Sequence, residues 1–233
     1  DFGLTAGIHS LDAAQVAEWL DRVEAGSLYV NRSITGAIVR RQPYGGWKLS
    51  QVGPGAKAGG PHYLSALVDW SPVFERPRDN VRLVGLAKHV ATVIEAATPQ
   101  LDFLEFDRVR AGANSDQRAW EAEFGLSRDV SKLVVERNVL RYRPSDEVLV
   151  RLPESGTTGQ LMRVLAAAAR AGARIRISSA RELPPHLVAV VQLDDPPLAV
   201  EQIVIETDAE FHGRVISGAA LAPVTSTDAA GTE

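Results

Sequence analysis

The sequence predicts an α/β chain built around parallel strands, and three observations carry that expectation. Near the N-terminus a helical apolar spacing passes through a single glycine into a short stretch of branched and aromatic residues, a helix-to-strand junction. Between Glu147 and Ser178 a strand, an Ala-rich helix, a glycine and a second strand follow one another at βαβ spacing. The 233 residues are 45% apolar and 23% charged, which is ordinary globular usage and excludes a wholly disordered chain.

Taken in order, Ser10 is placed to cap a helix whose apolar positions are Leu11, Ala14, Ala17, Leu20 and Val23. Gly26 falls where a left-handed residue would end it. Ser27 to Asn31 reads as a short buried strand. From Asn31 to Pro61 periodicity disappears among seven glycines and three prolines. A flexible linker is one reading of this stretch. Linkers, however, lack large apolar residues, and this one holds Ile34, Ile38, Val39, Tyr44 and Trp47, which favours an ordered loop of functional type.

Pro72 to Asn80 reads as a boundary, dividing a first part, 1–78, from a second, 79–221, and leaving a small polar tail, 222–233, that is expected to be disordered. The second part is expected to begin with helices at about Arg82 to Ala97 and around Gln117 to Phe124. Arg137 to Arg143 alternates like a half-exposed strand. Strands at Glu147–Leu152 and Arg174–Ser178 flank a helix from Thr157 to Ala171 closed by Gly172. Leu187–Leu193 and Gln202–Ile205 read as two more strands, with a short helix near Asp208 to Val215.

Composition narrows the function classes. There are 25 basic and 29 acidic side chains, a net charge of -4, which argues against a dedicated nucleic-acid or membrane-surface binder. The first part carries eight basic against seven acidic residues and the second seventeen against twenty-two, so neither calls for a polyanion. No apolar run approaches the ~18 residues of a membrane span. With no cysteine, a disulfide scaffold, a thiolate zinc site and a cysteine nucleophile are all excluded within this chain. The five histidines show no metal-ligand spacing. The opening Asp1-Phe2-Gly3-Leu4 has no initiator Met and no signal pattern, as expected for a piece of a longer, cytoplasmic polypeptide.

The most informative segment is Asn31-Arg32-Ser33-Ile34-Thr35-Gly36-Ala37-Ile38-Val39-Arg40-Arg41-Gln42-Pro43-Tyr44-Gly45-Gly46-Trp47-Lys48. Gly36 lets backbone approach a ligand closely, and consecutive N–H groups at Gly36 and Ala37 can form an anion-binding nest. The alternative is that these glycines only make tight turns. With Gly3 to Ser10 upstream, and Ser50, Gly53, Gly55 and Lys57-Ala58-Gly59-Gly60-Pro61 downstream, the segment resembles the C-terminal end of an aldehyde dehydrogenase catalytic domain. More narrowly it resembles the L-glutamate γ-semialdehyde (1-pyrroline-5-carboxylate) dehydrogenases. That resemblance implies NAD-dependent oxidation of glutamate semialdehyde to glutamate in proline catabolism. It assigns Gly36 and Ala37 to the substrate's α-carboxylate and Tyr44, where the family usually has Phe, to the aliphatic part of the substrate.

The same resemblance implies what this chain does not supply. The family's thiolate nucleophile and its NAD-binding domain would lie upstream, so the chain alone is expected to be inactive. In the second part, Glu136-Arg137-Asn138 with Leu140, Arg143 and Pro144 resembles the extra domain of bifunctional proline utilisation enzymes. That domain is a degenerate, non-catalytic Rossmann-like copy. A fused proline dehydrogenase and a homo-oligomeric parent enzyme are further implications. The turn Pro153-Glu154-Ser155-Gly156-Thr157-Thr158-Gly159 lacks G-x-G-x-x-G spacing, and a plain strand-to-helix turn is preferred there to a phosphate site. A free-standing module that covers or assembles with another enzyme is the alternative to a dehydrogenase segment.

Overall fold

Residues 1–38, 41–51, 56–71, 83–129, 131–144 and 147–219 are described in the computed structural model. In chain order the elements are β1 (Phe2–Gly3), β2 (Thr5–Ile8), α1 (Ala13–Arg22), β3 (Ser27–Val30), β4 (Trp47–Lys48), α2 (Lys88–Ala97), α3 (Phe103–Ala119), β5 (Arg128–Asp129), β6 (Val139–Leu140), β7 (Val148–Leu152), α4 (Thr158–Ala171), β8 (Ile175–Ser179), α5 (Pro185–Val191), β9 (Val200–Ile205) and α6 (Asp208–Ile216). They fall into two units, Asp1–Phe74 with Ser127–Arg141, and Glu75–Leu126 with Tyr142–Glu233. The expected boundary at 78/79 and the tail 222–233 lie outside the described residues.

In the N-terminal unit, β2 and β3 pair in parallel, Thr5 opposite Ser27 and Ile8 opposite Val30, with α1 as the crossover. The sequence predicts β3 but not β2, because Thr-Ala-Gly-Ile has too little branched or aromatic character to announce a strand. The helix cap is Asp12, whose Oδ1 accepts from the Ala14 and Gln15 N–H groups at 2.8 and 3.3 Å. Ser10, the expected cap, sits two residues too early and instead accepts from the Asp12 N–H. Gly26 is also not left-handed. It is small because a Cβ there would stand 1.9 Å from the Gly45 carbonyl oxygen. β1 pairs antiparallel with β4, and β5 with β6. The alternation at Arg137 to Arg143 therefore yields only a two-residue strand.

The second unit holds a parallel three-stranded sheet in the order β7-β8-β9, with Val148 opposite Ile175 and Ile175 opposite Val200. α4 joins the first pair of strands and α5 the second. Thr157 and Gln160 form a reciprocal capping box at the start of α4, and Gly172 ends it with φ +65°. Val90, Val93, Ile94, Met162, Leu165, Ile175, Ile177 and Leu187 form the solvent-free centre of the core. This is the α/β class the sequence predicts.

Three expectations in this unit are corrected. α2 starts at Lys88, six residues after Arg82. The helix expected around Gln117–Phe124 is the π-helical end of a much longer element, because α3 already begins at Phe103. Its charged sequence hides it: the buried positions include an Asp107–Arg110 ion pair beside Val109 and Ala113. Leu187–Leu193 is not a strand but α5. Pro185 sits in its first turn, and Leu187 and Val191, four apart, are the buried pair. A run of valines mimics a strand by composition, but two parallel neighbours need a crossover between them.

Leu165 is wholly buried at the centre of α4. Its replacement by Ala is expected to lower stability by about 2–5 kcal/mol, read as a lower denaturant midpoint at unchanged slope.

Candidate functional site

β3 delivers the chain to the candidate site and Asn31 turns it. Asn31 adopts φ 54°, and its side-chain amide brackets the Ser10 backbone, accepting from the Ser10 N–H at 2.9 Å and donating to the Ser10 carbonyl at 2.8 Å. This locks the loop to the end of β2. Inside the loop the Ser33 and Thr35 hydroxyls lie 2.8 Å apart, and the Thr35 N–H donates to Ser33 Oγ at 3.3 Å.

Gly36 then takes φ +82°, a left-handed value, with nothing within 4 Å of where a Cβ would project. The backbone N–H groups of Gly36 and Ala37 have no hydrogen-bond partner among the described residues. Their neighbour does, since the Ile38 N–H donates to Gln42 Oε1 at 3.1 Å. Tyr44 is fixed by a reciprocal backbone bridge to Ala58, at 3.1 and 2.9 Å. Lys57 sits beside it, donating to the Gly45 carbonyl at 2.9 Å and to the Gly26 carbonyl, and burial holds its pKa below the ordinary value.

Gly36, Ala37 and Tyr44, the three residues singled out in the sequence, line one cleft of about 280 Å³. Thr5, Tyr29, Ile34 and Thr35 complete it. Thr5 and Tyr29 were not among the sequence candidates. Thr5 pairs with Ser27, two residues from Tyr29, so both project from one face of the parallel pair, a relation hidden until β2 is known. Tyr29 is buried, with the Arg32 guanidinium 5.4 Å from its ring centroid. The lining offers unpaired N–H donors, hydroxyls and apolar surface, but no carboxylate and no thiol. It is suited to hold a small anion beside an aliphatic group, and not to attack one.

The other place where α/β folds take ligands is the carboxyl end of the parallel strands. Here protein side chains occupy it. Arg151 donates to Ser178 Oγ at 2.7 Å, to the Glu206 carbonyl at 3.1 Å and to Asp208 Oδ1 at 2.5 Å. Arg214 binds both carboxylate oxygens of Glu206, at 3.0 and 2.8 Å. At the first turn of α4, the Glu105 carboxylate packs where a side chain on Gly159 would go. An acidic group at that helix start opposes a phosphate, so these residues do not fit a dinucleotide. Among the described residues no three His, Asp or Glu side chains group as metal ligands, and no helix is long and apolar enough to cross a membrane. Of the alternating arginines, Arg141 donates to the Leu20 carbonyl, while Arg143 lines a separate cleft with Trp120, Phe124, Tyr142 and Arg170.

Comparison with known proteins bears on the first cleft. Residues 1–73 match the aldehyde dehydrogenase family. The chain is 36% identical over 170 residues to the bifunctional protein PutA of Rhizobium meliloti, covering 71% of this chain and 13% of that protein. It is 43% identical over 65 residues to the 1-pyrroline-5-carboxylate dehydrogenase of Bacillus cytotoxicus, covering 28% of this chain and 12% of that protein. The structure of proline utilization A from Corynebacterium freiburgense aligns with a TM-score of 0.62 at 34% identity, over 88% of this chain and 20% of that one. The chain thus spans about an eighth of the curated relatives it matches. The similarity to PutA runs well past the family match, into the second unit.

The network at the strand ends has a measurable acid signature. Arg151 holds the Asp208 carboxyl below its ordinary pKa of 3.8. A depressed folded-state value means that its contribution to stability is complete above pH 3.8 and is lost as pH falls through the lowered value. Asp208→Asn is therefore expected to destabilise at neutral pH, with the gap to the parent protein closing below about pH 3.8 in an unfolding titration.

Proposed function

We propose that this chain is the C-terminal segment of an NAD-dependent dehydrogenase that oxidises L-glutamate γ-semialdehyde to L-glutamate in proline catabolism. Its part in that reaction is to anchor the substrate. The observation that carries the reading is the N–H pair of Gly36 and Ala37, without a partner among the described residues, in a cleft that Tyr44 also lines.

The substrate's α-carboxylate accepts from the two N–H groups, with the Thr35 hydroxyl close by. Backbone donors suit this task because they carry no proton to lose and no long side chain to immobilise, and a nest of them favours an anion over a neutral group. Tyr44 and Ile34 pack against the methylenes between the carboxylate and the aldehyde. Fixing both parts of a short substrate also fixes the reacting carbon, so the cleft contributes orientation instead of bond making. The sequence contains no cysteine, so the nucleophile comes from another part of the polypeptide in this reading. NAD accepts hydride in such a reaction, and it is assigned to that other part too, because the residues at the strand ends here do not fit it.

The second unit is proposed to be a non-catalytic Rossmann-like domain. Its strand-end network and the Glu105 carboxylate support this. A fused proline dehydrogenase and assembly into a homo-oligomer belong to the same proposal, supported by the similarity to the bifunctional protein PutA.

Two measurements test the reading. The purified chain, lacking any thiol, is expected to give no NAD reduction with glutamate semialdehyde; turnover by a preparation free of contaminating dehydrogenase would overturn the segment assignment. In the complete dehydrogenase polypeptide, Ala37→Pro removes one donor to a charged acceptor, worth roughly 1.5–3 kcal/mol. Catalytic efficiency with glutamate semialdehyde is expected to fall about ten- to a hundredfold, with a much smaller effect on a simple aldehyde lacking the carboxylate. Equal losses for both would make the loop merely structural.

A further inference from the structure

The anchor loop is held at both ends by one short segment that lies about a hundred residues further along the chain. Glu136 uses its two carboxylate oxygens separately. Oε2 takes Arg32 Nη1 at 2.8 Å, just before the loop, and Oε1 faces Arg41 Nη1 at 3.5 Å, just after Ala37 and Ile38. Asn138 adds a second tie: its Oδ1 accepts from Gln42 Nε2 at 2.8 Å, while its Nδ2 donates to Ser131 Oγ at 2.9 Å and to Glu136 Oε1 at 3.2 Å. Gln42 in turn accepts the Ile38 N–H at 3.1 Å. The relay begins at Asp129, whose Oδ1 accepts from the Ser131 N–H and hydroxyl at 3.0 and 2.7 Å. It runs through Ser131, Asn138 and Gln42 to the N–H beside Ala37.

We infer that Glu136 and Asn138 are positioning residues for the carboxylate-anchoring loop, so that the segment Ser127–Arg141 is a working part of the substrate pocket and not only a connection between units. This rests on the reading of Gly36 and Ala37 as the anchor. The physical reason is that Gly36 and Ala37 are exposed, so nothing in their own packing fixes where their N–H pair points. Glycine gives freedom to swing those donors onto nearby carbonyls, and only constraints outside the loop prevent it. Two guanidiniums drawn to one carboxylate, half-shielded from solvent, set the separation of the loop's ends. The Asn138–Gln42 amide pair then fixes Gln42, which occupies the Ile38 N–H and leaves the two before it free. Neither Glu136 nor Asn138 lines the cleft, so neither touches substrate.

The test uses the complete dehydrogenase polypeptide with Glu136→Gln, which keeps size and one acceptor, and independently Asn138→Ala. The expected result for each is a rise in KM for glutamate semialdehyde of about tenfold, within the penalty that misplacing a bound substrate can incur. Expected alongside it are a kcat within about twofold and unchanged kinetics with propanal, which has no carboxylate. Ala37→Pro is measured in the same series. If it discriminates between the two aldehydes while the Glu136 and Asn138 variants are neutral, or lose activity equally with both aldehydes, the positioning role is overturned and the anchor stands. If Ala37→Pro itself fails to discriminate, the anchor reading falls and this inference with it. A variant that unfolds, seen by circular dichroism, counts against the positioning role when the other variant folds and is kinetically silent.

Discussion

The constraint on which the N-terminal unit depends is that two adjacent backbone donors, at Gly36 and Ala37, have no hydrogen-bond partner among the described residues, while the Thr35 and Ile38 N–H groups on either side do. Both residues are exposed, so the pair carries no burial penalty, and its surroundings set where it points rather than whether it is satisfied. The parallel β2–β3 pair sets one wall of the cleft. The Asn31 amide stops the chain from running on as a strand, and the Tyr44–Ala58 bridge returns it on the other side. Gly26, with no room for a Cβ before Gly45, brings those two sides together. Each contact is modest, about 1 kcal/mol for a neutral hydrogen bond, but together they remove the loop's alternatives.

The second unit applies the opposite solution to the equivalent opportunity. Three parallel strands end at a position where α/β folds commonly open a crevice, and this chain fills it with Arg151, Glu206, Asp208 and Arg214. Those charges pair with one another and the ion pairs are shared among several partners, which suits partial burial better than an isolated charge would, although Arg151 Nε itself has no hydrogen-bond partner among the described residues. A ligand arriving there would have to displace these ion pairs. The first cleft has no such occupant among the described residues, and this contrast between an open donor pair and a charge network supports the proposed division into binding surface and scaffold.

Much of this was legible in the sequence, and the failures have physical causes. The α/β class, the strands β3, β7, β8 and β9, and the capped helices α4 and α6 follow from local signals: branched residues, Thr at the cap, Gly after the last turn. That the loop is ordered was legible because a glycine-rich run carrying Ile34, Tyr44 and Trp47 is not linker composition, whereas Gly36, Ala37 and Tyr44 were grouped through the resemblance to the aldehyde dehydrogenases. β2 was lost because only its parallel partner makes Thr-Ala-Gly-Ile a strand. α3 was lost because its buried face includes a charged pair. α5 was misread because valine favours strands in general, whereas the crossover it occupies is fixed by tertiary structure. The Glu136–Asn138 tie could not be read locally at all, since nothing in sequence links residues about a hundred positions apart.

That last failure says something about how such a pocket is built. A loop able to leave donors unpaired needs glycine, and glycine carries no information about where the loop should rest. The missing information has to come from side chains elsewhere, with enough reach and charge to fix both ends. Arg32, Arg41 and Gln42 provide the reach from within the loop's flanks, and one carboxylate and one amide provide the fixed point. Because the fixed point is itself tied by Asn138 to Ser131 and through it to Asp129, the inferred positioning role gives control of the proposed anchor to a turn that does not line the cleft. In the proposed reading, specificity for a carboxylate-bearing aldehyde depends on two stretches of chain together, the one proposed to bind and the one inferred to hold it in place.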